Sequence, residues 1–444
     1  MQANLEKRVF IHTFGCQMNE YDTSKIRAQL AKDGFRGTEN PEEADLILLN
    51  TCSIRDKAEQ KMHSALGEYR SLKRDGRALT IGIAGCVAQQ EGQTLLNKYK
   101  DLDLVFGPDG VPHVRTLVRE AMEGRRVLDT EFLDLETYPF VQDIDLEAGD
   151  SVGAFVTIQK GCDNKCTYCI VPTTRGAEAS RPSREIVEEV QALVARGVKE
   201  ITLIGQNVNS YGLKISGEKT FAQLLYAVAD VSGVERIRYT TSHPRDMGPD
   251  VVQAYRDLPT LASHLHLPVQ SGSSRILRRM KRFYTREHYL RTIDALRDAR
   301  TDLAVTTDFI VGFPGETEED FEETMTLLEE VGFFASFSFK YSPRPGTASL
   351  RLPEAVDEAV MGARLTRLQA VQREISLAWY RGHEGRSLRV LVEGLSRHDE
   401  GVVCGRTGTN VMVNFPGTAD WIGRFADVRV TRGFTNSVRG ECVA

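Results

Sequence analysis

The 444-residue sequence predicts an α/β protein in three parts: a parallel α/β domain, a partial (β/α)6 barrel and a small all-β barrel. Three observations carry this reading. Strand-length apolar runs at 8–12, 46–49 and 79–84 are separated by the length of one strand-helix-strand unit. From residue 151 onward, six further strand-like runs alternate with helical stretches. After a long helix at 363–377 the periodicity switches to short strands with turn residues between them. With 41% hydrophobic and 27% charged residues the chain has the balance of folded globular protein. No apolar run approaches the ~20 residues that span a bilayer, so no membrane partner is expected. A net charge of -6 argues against indiscriminate nucleic-acid binding, and any RNA contact must rest on local patches. The opening Met1-Gln2-Ala3-Asn4-Leu5-Glu6-Lys7 has no secretory character, which predicts a cytoplasmic protein with reduced thiols.

In the first domain, residues 1–125, each of the three apolar runs ends within a few residues of a cysteine: Cys16, Cys52 and Cys86. The gaps between these cysteines are 36 and 34 residues, and helical stretches at 22–33 and 55–71 fill them. In a parallel sheet the carboxyl ends of successive strands face one crevice, so three cysteines far apart in sequence are expected to meet as a three-thiol site. A short strand at 104–106 and a helix from Val111 complete the domain. Residues 126–150 are acidic and irregular and read as a linker.

The second domain, residues 151–376, has expected strands at 154–159, 200–204, 236–239, 264–267, 304–310 and 334–339, with helices such as 184–196 and 317–331. Barrel chemistry collects at the carboxyl ends of the strands. The first strand runs directly into Cys162-Asp163-Asn164-Lys165-Cys166-Thr167-Tyr168-Cys169, a C-x3-C-x2-C triad. Three thiolates are one short of a closed zinc site, whereas a [4Fe-4S] cluster held by three cysteines keeps one iron open for chemistry. Other strand ends carry Gln206-Asn207 and Gly312-Phe313-Pro314-Gly315-Glu316, whose glycines permit close backbone approach to a bound molecule. His243, His264 and His266 also sit at strand ends and are left out of any metal set, because thiolates already satisfy the cluster. Arg275, Arg278, Arg279, Lys281, Arg282, Arg286 and Arg291, interleaved with Phe283, Tyr284 and Tyr289, have no acidic neighbours from 275 through 286 and read as an RNA contact. In the third domain, residues 377–444, strands are expected at 388–393, 401–403, 411–414 and 426–429, and the isolated Cys404 and Cys442 are assigned to core packing.

These motifs together resemble the radical S-adenosylmethionine methylthiotransferases over essentially the whole chain. The resemblance implies an amino-terminal methylthiotransferase domain with an auxiliary [4Fe-4S] cluster on Cys16, Cys52 and Cys86, and a radical S-adenosylmethionine core with a second [4Fe-4S] cluster on Cys162, Cys166 and Cys169. It further implies a carboxyl-terminal TRAM domain. Tyr168, Gln206, Asn207, Gly312, Pro314, Gly315 and Glu316 are the expected contacts of S-adenosylmethionine, cleaved to a radical that abstracts hydrogen from an unreactive C–H bond. Within the family, Thr13-Phe14-Gly15-Cys16-Gln17-Met18-Asn19, Asn50-Thr51-Cys52-Ser53-Ile54-Arg55, Cys169-Ile170-Val171-Pro172-Thr173-Thr174-Arg175-Gly176 and Gln206-Asn207-Val208-Asn209-Ser210-Tyr211-Gly212 are most similar to the branch that methylthiolates C2 of N6-(dimethylallyl)adenosine at tRNA position 37. The implied partners are the anticodon stem-loop of tRNA, an electron donor such as flavodoxin or ferredoxin, and a sulfur or cluster donor, with both clusters facing one cavity. The same chemistry on threonylcarbamoyl-adenosine or on a ribosomal-protein aspartate is separated from this reading by motif wording alone. A zinc-stabilised RNA-binding protein is the rival from another class.

Overall fold

A computed structural model of the protein describes residues 6–53, 56–73, 77–145, 152–397 and 399–443. Arg55, the expected start of the second helix, and residues 146–151, which close the expected linker and open the barrel domain, lie outside the described residues. The chain divides into two compact units, one of residues 1–149, 159–164 and 170–181, the other of residues 150–158, 165–169 and 182–444.

The first unit alternates strand and helix: β1 (Lys7–Thr13), α1 (Gln17–Ala31), β2 (Phe35–Gly37), β3 (Leu46–Thr51), α2 (Asp56–Lys73), β4 (Thr80–Gly85), α3 (Cys86–Lys98), β5 (Leu104–Phe106), α4 (Val114–Met122) and β6 (Val127–Asp129). The strands form one six-stranded sheet in the order β2-β1-β3-β4-β5-β6, parallel throughout. Every residue of β3 and β4 is buried. That explains why 46–49 and 79–84 read as continuous apolar runs: helices cover both faces of a parallel sheet, so no face alternates with solvent. Ile47, Leu49, Ile81 and Ile83 join one core with Met62, Leu66 and Leu95, while Leu46, Leu48 and Ala84 join another with Ile26, Leu30 and Val114.

Three local differences from the expected elements have simple causes. α1 begins at Gln17 rather than 22, because the turn at Gly15-Cys16 starts the helix at once. The helix expected from Val111 begins with a 3-10 turn, Pro108–His113, since Pro112 removes an amide donor before α4. β6 falls in the expected linker and pairs with β5, an edge strand of three residues, too short to stand out after Arg125 and Arg126.

The chain then passes through β7 (Gly153–Thr157) of the second unit and back into the first with β8 (Gln159–Lys160), α5 (Val171–Arg175) and β9 (Ala179–Ser180). The expected strand 154–159 therefore ends at Thr157, and Gln159 belongs to the antiparallel β8–β9 pair. In the second unit follow α6 (Ser183–Val194), β10 (Glu200–Ile204), α7 (Phe221–Ala229), β11 (Arg236–Tyr239), α8 (Pro249–Asp257), β12 (His264–His266), α9 (Ser274–Arg279), α10 (Arg286–Ala299), β13 (Ala304–Val311), α11 (Glu318–Val331), β14 (Ala335–Lys340) and α12 (Glu358–Arg381). Six parallel strands make an open barrel as two triplets, β7-β10-β11 and β12-β13-β14, with Ile237 of β11 bridging to Leu261 just before β12.

β15 (Ser387–Leu395), β16 (Val402–Thr407), β17 (Met412–Pro416), β18 (Phe425–Gly433) and β19 (Val438–Cys442) close into a five-stranded barrel, β15-β16-β17-β19-β18. β19 went unseen in the sequence because Val-Arg-Gly-Glu-Cys carries one buried apolar residue and a glycine. Cys442 is exposed and Cys404 half-buried, so the assignment of both to core packing fails for Cys442. Arg236 and Arg238 of β11 fasten this barrel to the larger one by donating to the carbonyls of Arg406 and Thr407 at 2.9 and 2.6 Å. Glu200 holds both guanidiniums, at 3.1 and 3.0 Å.

Leu48 lies fully buried in the middle of β3. Leu48→Ala is expected to lower the stability of the amino-terminal unit by about 2–5 kcal/mol, read as the shift of its urea unfolding transition.

Candidate metal centres and cofactor site

Cys16, Cys52 and Cys86 follow β1, β3 and β4, three adjacent strands of one parallel sheet. The register pairs Thr13 with Asn50 and Thr51 with Gly85, so the cysteines emerge side by side at the carboxyl edge. Two glycines make the close approach possible. Gly15 has φ +126°, and a Cβ there would sit 2.2 Å from Cys52 Cβ; Gly85 has φ +88°, and a Cβ would sit 2.5 Å from the Thr51 carbonyl. A buried amide net locks the turns: Asn19 Nδ2 donates to Asn50 Oδ1 and to the Thr51 carbonyl, both at 2.9 Å, and Asn50 Nδ2 returns a bond to the Asn19 carbonyl at 2.8 Å.

All eight cysteines of the chain are unbridged. A hydrogen bond from the Cys52 thiol lowers the Cys16 thiol to about 6, against burial and with help from Arg175. Burial pushes the Cys86 thiol up, and Arg175 is the main group opposing it. Arg175, itself buried, ends α5 and donates from Nη2 to Asp22 Oδ2 at 2.8 Å. A second buried pair, Lys160 Nζ to Asp109 Oδ2 at 2.6 Å, lies under the Tyr138 ring, 4.2 Å from its centroid. Three soft sulfur donors converging beside one buried cation fit a thiolate-held cluster of net negative charge.

Of the C-x3-C-x2-C triad, Cys162 belongs to the first unit and Cys166 and Cys169 to the second. The buried Cys162 donates its amide to the Gly176 carbonyl at 3.2 Å, and Gly161 before it has φ +71°. Cys169 donates its amide to the Cys166 carbonyl at 3.1 Å. Arg282, fully enclosed, points Nη1 at Cys166 Sγ at 3.5 Å and is held by the Pro268 carbonyl at 3.0 Å and the Tyr284 hydroxyl at 3.1 Å. Lys281 and Phe283, on either side, have φ of +55° and +58°, the backbone condition for turning Arg282 inward between two outward residues.

The half-buried Tyr168 packs its edge on Phe313, 6.5 Å between centroids, which brings it to the 312–316 loop. That loop is clamped from within: the Gly312 amide donates to Glu316 Oε2 at 2.6 Å, Glu316 pairs with Arg364 at 2.9 Å, and Arg279 donates to the Pro314 carbonyl at 3.0 Å. Burial raises the Glu316 carboxyl to about 7, against both bonds. Its carboxylate shapes the loop, and the backbone of Gly312, Pro314 and Gly315 is what the loop can offer a cofactor. Gln206 and Asn207 follow β10, and Asn207 Nδ2 donates to Asp246 Oδ2 at 2.8 Å. Among the described residues, Asn207 Oδ1 and Ser242 Oγ are buried with no hydrogen-bond partner. Such orphaned groups at strand ends fit a polar ligand that completes them.

The basic stretch divides. Arg275 pairs with Asp320, Arg279 with Glu354, Arg286 with Glu330, and Arg282 faces Cys166. The absence of acidic partners held only for the local sequence, since helices and loops supply them from 30 or more residues away. Arg278, Lys281, Phe283 and Arg291 remain exposed. His243 caps a 3-10 turn by accepting from the Arg245 amide, and His266 lies 3.5 Å from Asp308. Sequence reasoning missed Arg175 and Asp22 as a site pair, because they lie 153 residues apart.

Residues 156–328 match the Radical SAM superfamily, residues 8–107 match an uncharacterized protein family, UPF0004, and residues 381–443 match the TRAM domain. The chain is 48% identical over 440 residues to the tRNA-2-methylthio-N(6)-dimethylallyladenosine synthase of Geobacter metallireducens, covering 98% of each chain. It is 48% identical over 441 residues to the protein of the same name from Aeromonas hydrophila, covering 98% of this chain and 92% of the other. Among solved structures, the radical S-adenosylmethionine methyltransferase TsrM of Kitasatospora setae superposes with a TM-score of 0.58 at 14% identity over 78% of this chain and 74% of that one. The cobalamin-dependent S-adenosylmethionine radical enzyme OxsB gives 0.56 at 12% identity over 84% and 56%. At these identities the likeness is one of fold alone.

In metal-free protein, Cys16 is expected to be alkylated by iodoacetamide with a midpoint near pH 6, because a thiol lowered to about 6 is thiolate above that pH. Cys86, raised by burial, should remain unreacted at the same pH. Peptide mass spectrometry after timed alkylation reads both.

Proposed function

The chain belongs to the tRNA-2-methylthio-N(6)-dimethylallyladenosine synthase family, and from that premise we propose that Cys162, Cys166 and Cys169 hold its radical [4Fe-4S] cluster while Cys16, Cys52 and Cys86 hold a second. It is a radical S-adenosylmethionine enzyme, a methylthiotransferase that acts on tRNA. The observation that carries the two-cluster reading is the gathering of Cys16, Cys52 and Cys86 at the carboxyl edge of β1, β3 and β4 beside the buried Arg175. A set of three thiolates would leave a position open on a cluster, which is what a sulfur carrier requires and a structural zinc site does not.

When bound, the clusters and S-adenosylmethionine supply one-electron chemistry for a carbon such as adenine C2, whose hydrogen no side-chain base removes at neutral pH. The chain's own residues prepare the ground. Arg282 sets a fixed positive charge 3.5 Å from Cys166 Sγ, where it would offset the negative charge of a thiolate-held cluster. Arg175 does the same for Cys16 and Cys86. Tyr168, pinned on Phe313, aligns the last cysteine with the 312–316 loop, whose backbone, together with Gln206 and Asn207, receives S-adenosylmethionine. Asn207 Oδ1 is the acceptor left open for it. Glu316 contributes by holding the Gly312 amide.

The target lies at position 37, beside the anticodon, and the anticodon stem-loop contacts the TRAM barrel and the exposed Arg278, Lys281 and Arg291. Electrons come from a flavodoxin or ferredoxin, and a sulfur or cluster donor restores the second centre. Among the described residues no helix is long and apolar enough to cross a membrane, and a tRNA substrate with reduced thiols supports a cytoplasmic setting.

Anaerobically reconstituted protein should hold about eight irons, and each cysteine triple-alanine variant about four. The variant of Cys162, Cys166 and Cys169 should not cleave S-adenosylmethionine at all. The variant of Cys16, Cys52 and Cys86 should still cleave it and form no methylthio product. Methylthiolation at the wild-type rate by this second variant, shown to lack its cluster, would end the two-cluster reading.

A further inference from the structure

The interior of the larger barrel carries an aromatic face on which Phe337 stands half exposed. α12 covers the outer side of β14, where Gln369 Nε2 donates to Ser338 Oγ at 3.3 Å and Lys340 pairs with Glu358. Alternation along a strand then turns Phe337 and Phe339 to the opposite, inner side. β13 divides the same way. Phe309 packs edge-on against Phe333 in the helical layer, 5.7 Å between centroids, so Asp308 and Ile310 face inward. The parallel register sets Asp308 beside Phe337 and Ile310 beside Phe339. From β12, His266 meets the Phe337 ring at 6.0 Å and 79°, accepts or donates with Thr306 Oγ1 at 3.0 Å, and lies 3.5 Å from Asp308 Oδ1.

A close-packed interior would cover the Phe337 ring. Phe337 is instead 52% exposed. Large apolar groups open to solvent inside a barrel mark a ligand-facing wall, and β13 leads from this wall directly into the 312–316 loop. The family's named substrate carries a branched five-carbon chain on the N6 of adenosine, an apolar group on an otherwise polar base. Water is a poor home for it, and an aromatic wall with polar groups at one side is a good one.

We propose that Phe337, with Ile310 and Phe339, seats the dimethylallyl group of the target adenosine, and that Asp308 accepts the remaining N6–H. This rests on the functional reading above and adds to it the residues by which the enzyme tells the prenylated base from plain adenosine. The seat is apolar and shape-selective, and the Asp308 acceptor is shared by both bases, so Phe337 carries the discrimination.

The test uses full-length, anaerobically reconstituted enzyme and two synthetic anticodon stem-loops, one with dimethylallyladenosine at the target position and one with adenosine. The first is the substrate; the second is titrated as its competitive inhibitor. For the wild type, the inhibition constant of the plain stem-loop should exceed the KM of the prenylated one. In Phe337→Ala the KM should rise about tenfold or more, the amount lost with a few buried methyl groups, while the inhibition constant of the plain stem-loop stays put. Phe337→Leu should keep most of the preference. Iron content and RNA-independent S-adenosylmethionine cleavage, unchanged in both variants, show that fold and cofactor site are intact. A rise of both constants together, no change in either, or loss of RNA-independent cleavage would each overturn the seat. A wild-type enzyme that methylthiolates neither stem-loop would instead bring down the functional reading itself.

Discussion

The structure depends on the carboxyl edge of one parallel sheet, where three backbones must turn within van der Waals reach of one another. Gly15 and Gly85 adopt positive φ because a Cβ at either place would collide with Cys52 or with the Thr51 carbonyl. The turns they permit carry Cys16 and Cys86 away from the sheet on the same side as Cys52, and the Asn19, Asn50 and Thr51 bonds hold that edge rigid. Burial on both faces of β3 and β4 means the sheet cannot shift register without exposing two cores. Cys16, Cys52 and Cys86 therefore sit on a backbone that packing and hydrogen bonds hold in one register.

Charge follows the same logic. A guanidinium deep in protein costs several kcal/mol unless it is paired, and the chain keeps two of them beside cysteines. Arg175 has Asp22 as its counterion and still faces Cys16 and Cys86; Arg282 is surrounded by a carbonyl, a tyrosine hydroxyl and Cys166 Sγ. Neither is placed for stability alone, since an apolar side chain of similar volume would fill the space with less desolvation. Fixed cations beside thiolates stabilise anionic metal clusters and weight them toward the more negative, reduced form.

Much of this was legible in the sequence. The parallel sheet, the six barrel strands and the three post-strand cysteines stand out because strands buried on both faces read as unbroken apolar runs and because strand-helix spacing repeats. The tight C-x3-C-x2-C stretch was legible by spacing alone. What escaped depends on contacts across long separations. Asp22 and Arg175 look like ordinary surface residues until the fold joins them. The basic stretch looked free of acidic partners because Asp320, Glu330 and Glu354 lie tens of residues downstream. β19 and β6 are edge-length strands whose pairing comes from the fold around them rather than from local pattern.

This chain places a methylthio group on prenylated adenosine in tRNA. Nucleoside mass spectrometry of total tRNA from cells with and without the gene tests it most directly. Loss of the protein should abolish the 2-methylthio form of N6-dimethylallyladenosine, the unthiolated N6-dimethylallyladenosine should accumulate in its place, and the full-length gene should restore the methylthiolated form. An unchanged level of the methylthiolated nucleoside in cells lacking this protein and any second copy of it would contradict that activity.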